Sequence, residues 1–401
     1  MASITEKTWF DQIEEQGDWQ DDEQFDEGGL KSADEKIFVA SYWQLMWWKF
    51  RKHRMAMVSA VVIVLLYLVA AFAEFVAPYH PDPHPSELFV SFKLAPPSRI
   101  HFFDESGAFQ RPFVYKMAQD RDPETLRRIY TEDTSEKYPI RFFVDGPDYE
   151  LWGLFPGTKH LFGLGPEAGE QGLFVLGVDE SARDLFTRVC YGARISLTIG
   201  LVAVVVSLIL GIILGGISGY YGGTADNVIQ RIIEFIRSVP EIPLIMALAA
   251  ALPADWPVVR LYFGITILLS FVGWTGLARV VRGRFLSLRE EDFVMAARLS
   301  GSSEMRVILR HMLPSFLSHI IASLTLSIPG IILSETGLSF IGLGLRPPAI
   351  SWGVLLQDAQ KVKTVALAPW LLIPALAVVL TVLAFNFLGD GIRDAADPYA
   401  K

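Results

Sequence analysis

Side chains able to carry bond chemistry are few in this 401-residue chain, and they are poorly placed for it. His80 and His84 in "HPDPHP" have the look of a metal pair. Prolines stand between them and no third partner follows, so the stretch reads as a surface turn. His101 and His160 come without a Ser or Cys motif that an imidazole could activate. Cys190 is the single cysteine, which excludes an internal disulfide and any multi-cysteine metal site. No G-x-x-x-x-G-K-[ST] loop is present to cradle phosphates, so the chain cannot hold ATP in that way. An enzyme with its own cofactor or metal is not the expectation.

Two other constellations remain. The polar passage "DFVMAARLSGSSEMRVILRHMLPS", residues 292–315, reads as helix, glycine, helix. Ala296 and Ala297 are small enough for another backbone to approach. Gly301 suits a left-handed helix stop, Ser302 or Ser303 could cap a second helix, and Glu304 favours its first turn. Arg306 belongs to a basic face, and Leu313 and Pro314 close the passage. Such a pair makes a docking knob or a plain helical connection; spacing alone leaves both open. The second constellation lies in apolar sequence: Glu335 in "GIILSETGLSF", the Pro329–Gly330 break, and Glu234 in "NVIQRIIEFIRSVPEIP". Carboxylates at membrane depth face a solute pathway or a hydrogen-bonding partner, and Pro–Gly marks a kink.

The elements that must position these residues are membrane spans. The chain is 51% hydrophobic, too apolar for an ordinary soluble protein. Residues 55–77 suffice to cross ~30 Å of hydrocarbon, and further spans read at 195–219, 228–252, 261–281, 316–340 and 369–389. Lys49, Arg51, Lys52 and Arg54, beside Trp47 and Trp48, anchor the first span on the cytoplasmic side. Arg282, Arg284, Arg289, Arg298, Arg306 and Arg310 place the 282–315 loop on the same side. Six crossings then return the C-terminal tail, 393–401, to the cytoplasm. The third span carries Arg231, Glu234, Arg237, Glu241 and two prolines, which suits a kinked helix facing protein. Residues 1–40 form an acidic tail; its first 36 residues hold twelve acids against three lysines, a net charge of −9 that equals the whole chain's. It is expected to stay loose until something docks on it. Residues 41–77 are the anchor and first span, and 195–392 a five-helix core. Between them, 78–194 is an insertion with 19 aromatics, enough to bury a core. It reads as a small α+β lobe: strands around a turn at Glu105–Gly107, a helix over "DPETLRRIYTED" capped by Asp122, then strand punctuated by Asp-Gly and Pro-Gly. The expected fold is therefore an all-α polytopic membrane protein of six transmembrane helices with an extracytoplasmic lobe between the first two.

At this point motifs become legible. "AARLSG", nine residues, then "HMLP" resembles the cytoplasmic-loop signature of ABC importer permeases, which docks into a groove on the ATPase. "SARDLFTRVCYGARIS", "GISGYYGG", "ARVVRGRFLSLREEDFV" and "LSFIGLGLRPPAISWGVLL" resemble the second permease subunit of the oligopeptide/dipeptide/nickel family, over residues 40–77 and 175–399. Met295 departs from that pattern where Glu is frequent, and Ala182 where Gly is usual. The resemblance implies an ABC type I importer fold and a binding-protein-dependent permease of the bacterial cytoplasmic (inner) membrane. It implies a homologous second permease, two ATPase subunits carrying ATP and Mg, and a periplasmic or lipid-anchored substrate-binding protein. No nucleic acid is implied. In that setting Ala296, Ala297, Gly301, Ser302, Glu304, Arg306, Leu313 and Pro314 couple to the ATPase, and Glu335, Pro329, Gly330 and Glu234 are pathway candidates. Oligopeptides and oligosaccharides both stay open as substrates, with nickel or another small solute as the alternative. An autonomous ion-coupled carrier would instead need inverted repeats and paired mid-membrane charges, and a membrane enzyme would need the catalytic cluster missing above.

Overall fold

The structure is a computed structural model that describes residues 42–82, 89–104, 107–124, 128–169, 171–253 and 255–396. The acidic tail, His84 and the last five residues lie outside them. Helix α1 (Tyr42–Lys52) carries Lys49, Arg51 and Lys52 in its last turn. His53 then accepts the Ala56 N–H at 3.1 Å and caps α2 (Arg54–Ala71). Eighteen residues of α2 rise about 27 Å at 1.5 Å each, close to one hydrocarbon thickness. Helix α3 (Leu185–Tyr221) has 37 residues, about 55 Å, and projects beyond a bilayer. It therefore starts ten residues before the expected second span, because the Asp184 carboxylate accepts the Thr187 N–H at 2.7 Å and fixes the helix start there.

Among the described residues, five helices are long and apolar enough to cross a membrane: α2, α3, α6 (Val258–Leu288), α8 (Leu317–Phe340) and the helix ending as α9 (Ile373–Ala396). The expected third span, 228–252, is two pieces, α4 (Gly223–Ser238) and α5 (Glu241–Ala250). Val239 takes extended backbone before Pro240, as the residue preceding proline prefers, and the helix ends instead of kinking. Alone, the ten residues of α5 do not span. Helix α8 runs on through Pro329.

The core forms around α3. Leu197, Ile328, Ile332, Trp352 and Phe385 pack into one cluster; Ile199, Ile245, Ile265 and Leu269 into another. Gly211, Gly215 and Gly219 recur every fourth residue on the face of α3 toward α6. A Cβ on Gly215 would sit 2.5 Å from the Ala278 carbonyl oxygen, and one on Gly219 2.7 Å from that of Arg282. Small residues at this period let two helix backbones approach, which is how apolar helices associate in lipid.

The insertion is a four-stranded antiparallel meander, β1 (His101–Phe103), β2 (Phe109–Arg121), β3 (Arg128–Leu151) and β4 (Phe155–Leu164). The first two strands fall where expected. The helix over "DPETLRRIYTED" does not form: Arg128–Asp133 pair with β2. Asp122 uses its carboxylate on the Glu124 N–H at 2.9 Å, an Asx turn, so the same residue that could cap a helix turns the chain instead. Tyr130 donates to the Lys93 carbonyl at 2.6 Å and fixes the strand. Among the described residues the sheet part of the lobe is β with short 3-10 turns, and the expected helix of an α+β lobe is not among them. Asp145–Gly146 lies at an irregularity and Pro156–Gly157 within β4; the hairpin turns at Trp152–Gly153. Val114, Ile140 and Leu173 form the lobe's core.

Candidate functional site

The 292–315 passage folds as helix, glycine, helix only in its first half. Helix α7 (Asp292–Leu299) ends at Ser300, and Gly301 follows with φ +79°. The Ser302 N–H reaches Ala297 O at 3.1 Å and the Gly301 N–H reaches Arg298 O at 2.9 Å, the paired bonds of a Schellman stop. Ser303, not Ser302, is the next cap residue, and its side chain makes no cap bond. One α turn, Glu304–Arg306, passes into a π-helical stretch, Val307–Met312, and a last turn, Leu313–Ser315, that contains Pro314. Phe316 breaks the path before α8 begins.

One side of this knob is seated. Val294, Val307 and Met312 are fully buried against Tyr220, Phe285, Phe316 and Ile320, with Ala297 and Leu313 packed beside them. At about 1.5–3 kcal/mol for each fully buried Val or Met, the three anchors hold the knob as a stiff body. Polar ties reinforce it: the Arg298 guanidinium lies 4.9 Å from the Tyr220 ring, and Tyr221 donates to Glu304 at 3.0 Å. Beneath the seat, Arg282 grips Asp226 through two bonds of 2.5 and 2.6 Å, and Ser218 also donates to Asp226. The Arg282 guanidinium holds the Asp226 carboxyl below the usual carboxylate range.

The outward side carries the expected basic residues, with Arg298, Arg306 and Arg310 exposed, and an apolar row beside them. Leu299 is 90% exposed, Met305 64% and Leu309 54%, with Phe293, Met295 and Ala296 exposed nearby. The two alanines therefore split: Ala296 faces out and Ala297 faces the seat. Gly301, Glu304, Arg306 and Pro314 are exposed and Ser302 is half-buried. The exposed Leu–Met–Leu row is legible as apolar spacing, but the arginines around it are the stronger signal.

A cavity of about 890 Å³ lies among α3, the α4–α5 break, α6 and α8. Ser207, Glu234, Arg237, Pro240, Glu241, Thr275, Arg279, Ser323, Ser327 and Gly330 are among its lining residues. Two of the four pathway candidates, Glu234 and Gly330, are on this wall; Glu234 also pairs with Arg231 at 2.8 Å. Pro329 is buried and off the wall. Glu335 is off it too: fully buried, it accepts from Ser339 at 2.8 Å and Ser196 at 3.4 Å. Ser196 in turn accepts the Trp352 N–H at 3.1 Å and Ser339 the Leu345 N–H at 3.0 Å. Through Ser339 and Ser196 this side chain fastens the 341–351 loop to α8 and α3.

Among the described residues no group of three or more His, Cys, Asp or Glu side chains could hold a metal ion. His80 uses Nδ1 on the Asp82 N–H at 3.3 Å, the local turn expected of it.

A membrane helix bundle with a cavity of mixed apolar and charged lining and a rigidly seated knob is built as a transport subunit. The chain belongs to the family of binding-protein-dependent transport system inner membrane components, whose profile matches residues 207–401, and is an ABC importer permease of the oligopeptide/dipeptide type. A second profile, the N-terminal TM domain of oligopeptide transport permease C, matches residues 41–97. The chain is 33% identical over 364 residues, 90% of its length and 92% of theirs, to proteins named glutathione transport system permease protein GsiD from Escherichia coli O6:K15:H31 (strain 536 / UPEC) and Shigella boydii serotype 4 (strain Sb227). Among solved structures it is similar to the inward-facing MetNI methionine ABC transporter in its CY5 native crystal form. That likeness has 18% identity and a TM-score of 0.42, covering 53% of this chain and 98% of that one. As a multi-pass inner-membrane permease it works with ATPase and substrate-binding partners and is not itself the ATPase.

Proposed function

We propose that this chain passes short peptides across the cytoplasmic membrane by alternating access. In this reading two ATPase subunits carrying ATP and Mg drive it, beside a homologous second permease and a periplasmic or lipid-anchored binding protein. The carrying observation is the knob, seated by Val294, Val307 and Met312 while Leu299, Met305 and Leu309 stand in solvent. An apolar row on a stiff support suits the groove of a partner that pulls on it. Helix α6 reaches from the seat at Phe285 to the cavity wall at Val272–Val280, and α8 from Ile320 to Ser323–Ile331. A displacement of the knob therefore reaches two walls of the cavity together.

Charges of both signs on the wall, Arg237 and Arg279 with Glu234 and Glu241, suit a solute that bears both an ammonium and a carboxylate. That favours a peptide over a neutral oligosaccharide, and the relatives named for glutathione transport point the same way. Both termini are read as cytoplasmic. The arginines of the 282–315 loop support this, and α4 and α5 then complete a sixth crossing between them. The test is uptake by proteoliposomes holding the reconstituted complex with its binding protein. A labelled tripeptide should accumulate with ATP and a neutral trisaccharide should not. Accumulation of the sugar alone would overturn the substrate, and accumulation without ATPase subunits would overturn the mechanism.

A further inference from the structure

The β3–β4 hairpin ends in Leu151-Trp152-Gly153-Leu154, closed by the Leu154 N–H on Leu151 O at 3.1 Å. Its central residues have φ +56° and +70°, the pattern of a type I′ turn, which normally takes Asn-Gly. Trp152 is a bulky residue in left-handed backbone, and Phe143 on the same strand is another, at φ +55°. Strain of this kind persists where something outside the turn requires the side chain. Both rings reach the end of the first span. The Trp152 indole donates to the Ala71 carbonyl at 2.7 Å and its ring lies 5.7 Å from Phe72; Phe143 lies 6.1 Å from Phe75. Ala71 is the last residue of α2, so the turn stands at the C-terminal end of that helix. Arg194 donates to the Ala70 and Ala71 carbonyls at 3.0 and 3.2 Å and pairs with Glu74, fixing the level of this junction.

The turn is apolar and uncovered: Leu154 is 73% exposed, Phe155 59% and Trp152 52%. It continues an exposed stripe on α2 made by Val58, Val61, Leu65, Leu68 and Phe72, spaced along one helix face. On a membrane-spanning helix such a stripe meets lipid, and Trp beside its end occupies the level where aromatic rings favour the headgroup boundary. Asp148 and Glu150 flank the turn, so uncharged or zwitterionic headgroups fit it better than anionic ones.

The geometry points to the Trp152–Phe155 turn as a membrane-interface anchor, through which the inserted lobe is held against the lipid surface beside the first span. The anchor is independent of what the chain carries.

The test uses the whole transporter complex in phosphatidylcholine nanodiscs. The native Cys190 is buried, so a spin label on Leu154→Cys or on Ser135→Cys, an exposed lobe site, reports one place each. At Leu154 the ratio of collisions with oxygen to collisions with a water-soluble nickel complex should exceed that at Ser135 several-fold. Equal ratios would put the turn in water and overturn the anchor. Shielding of Leu154 from both reagents would also overturn it, giving the turn to a neighbouring subunit. Trp152→Asn suits the left-handed turn and keeps the hairpin; it should lower the Leu154 ratio, and an unchanged ratio would remove Trp152 from the role.

Discussion

Replacing Leu299 by Glu separates docking from folding. The side chain is 90% exposed at the end of α7, so the isolated permease should change stability by no more than about 0.5 kcal/mol. If a partner groove covers Leu299, its burial is worth about 2 kcal/mol, and a carboxylate forfeits that gain and adds its own desolvation. A loss of about 2 kcal/mol is roughly a 30-fold weaker association. The measurement is a titration of ATPase subunits onto nanodisc-held permease, read as affinity and as ATP-dependent uptake, beside the thermal midpoint of the permease alone. The expected result is at least that loss of affinity with an unchanged midpoint, while Leu299→Met binds normally. Wild-type affinity and coupled uptake in Leu299→Glu would refute the docking role of the exposed row.

Met312→Ala removes a fully buried anchor of the seat and should cost about 2–5 kcal/mol, visible as a lower thermal midpoint together with ATP hydrolysis that no longer drives uptake; tight coupling at a lowered midpoint would show that the seat need not be stiff. Gly215→Leu forces a side chain onto the Ala278 carbonyl, so the α3–α6 pair should lose about 1–3 kcal/mol or more; a midpoint equal to wild type would contradict the close approach. Burial pushes the Asp184 carboxyl up to about 7 from 3.8, and its Oδ1 has no partner. The unfolded chain therefore ionises first, and stability falls as pH rises from about 4 to about 7, by up to about 1.4 kcal/mol per unit. Asp184→Asn keeps an acceptor for Thr187 and should be increasingly more stable than wild type from pH 5 to pH 8; parallel midpoint curves would refute the shift.

The spans and the knob are legible because each has a period or a punctuation mark: apolar runs of bilayer length, and Gly301 where only a left-handed stop fits. The usual Gly at position 182 is explained the same way, since Ala182 holds φ +65°. What misleads is local signal overruled by distant partners. Asp122-Pro123 spells a helix start, yet Tyr130 finds the Lys93 carbonyl and the segment becomes strand. Asp-Gly and Pro-Gly spell turns, yet register moves the hairpin to Trp152–Gly153. For Glu335 sequence leaves a pathway and a hydrogen-bonding partner both open, and it cannot say that Ser196, 139 residues away, will donate to it. The Gly211–Gly215–Gly219 repeat stands in plain view in "GIILGGISG", but its period names no partner helix; only the fold shows that it brings α6 close enough for Arg282 to reach Asp226.

The break at Val239–Pro240 gains its meaning from what surrounds it. Helices α6 and α8 run from the knob's seat to the cavity, about 20 Å along α6 from Phe285 to Val272 and about 15 Å along α8 from Ile320 to Gly330. Neither helix is interrupted by loop over that distance, so each carries a push along its length with little loss. The wall between α4 and α5 is different: the chain leaves the helix at Val239–Pro240, and both residues are on the cavity wall. Non-helical backbone in a membrane protein is tolerated where it lines a water-filled cavity, and here Val239 and Pro240 stand beside Arg237 and Glu241 on the same wall. In the proposed alternating access, two stiff walls moving against one broken wall would change the cavity's shape without having to bend a helix.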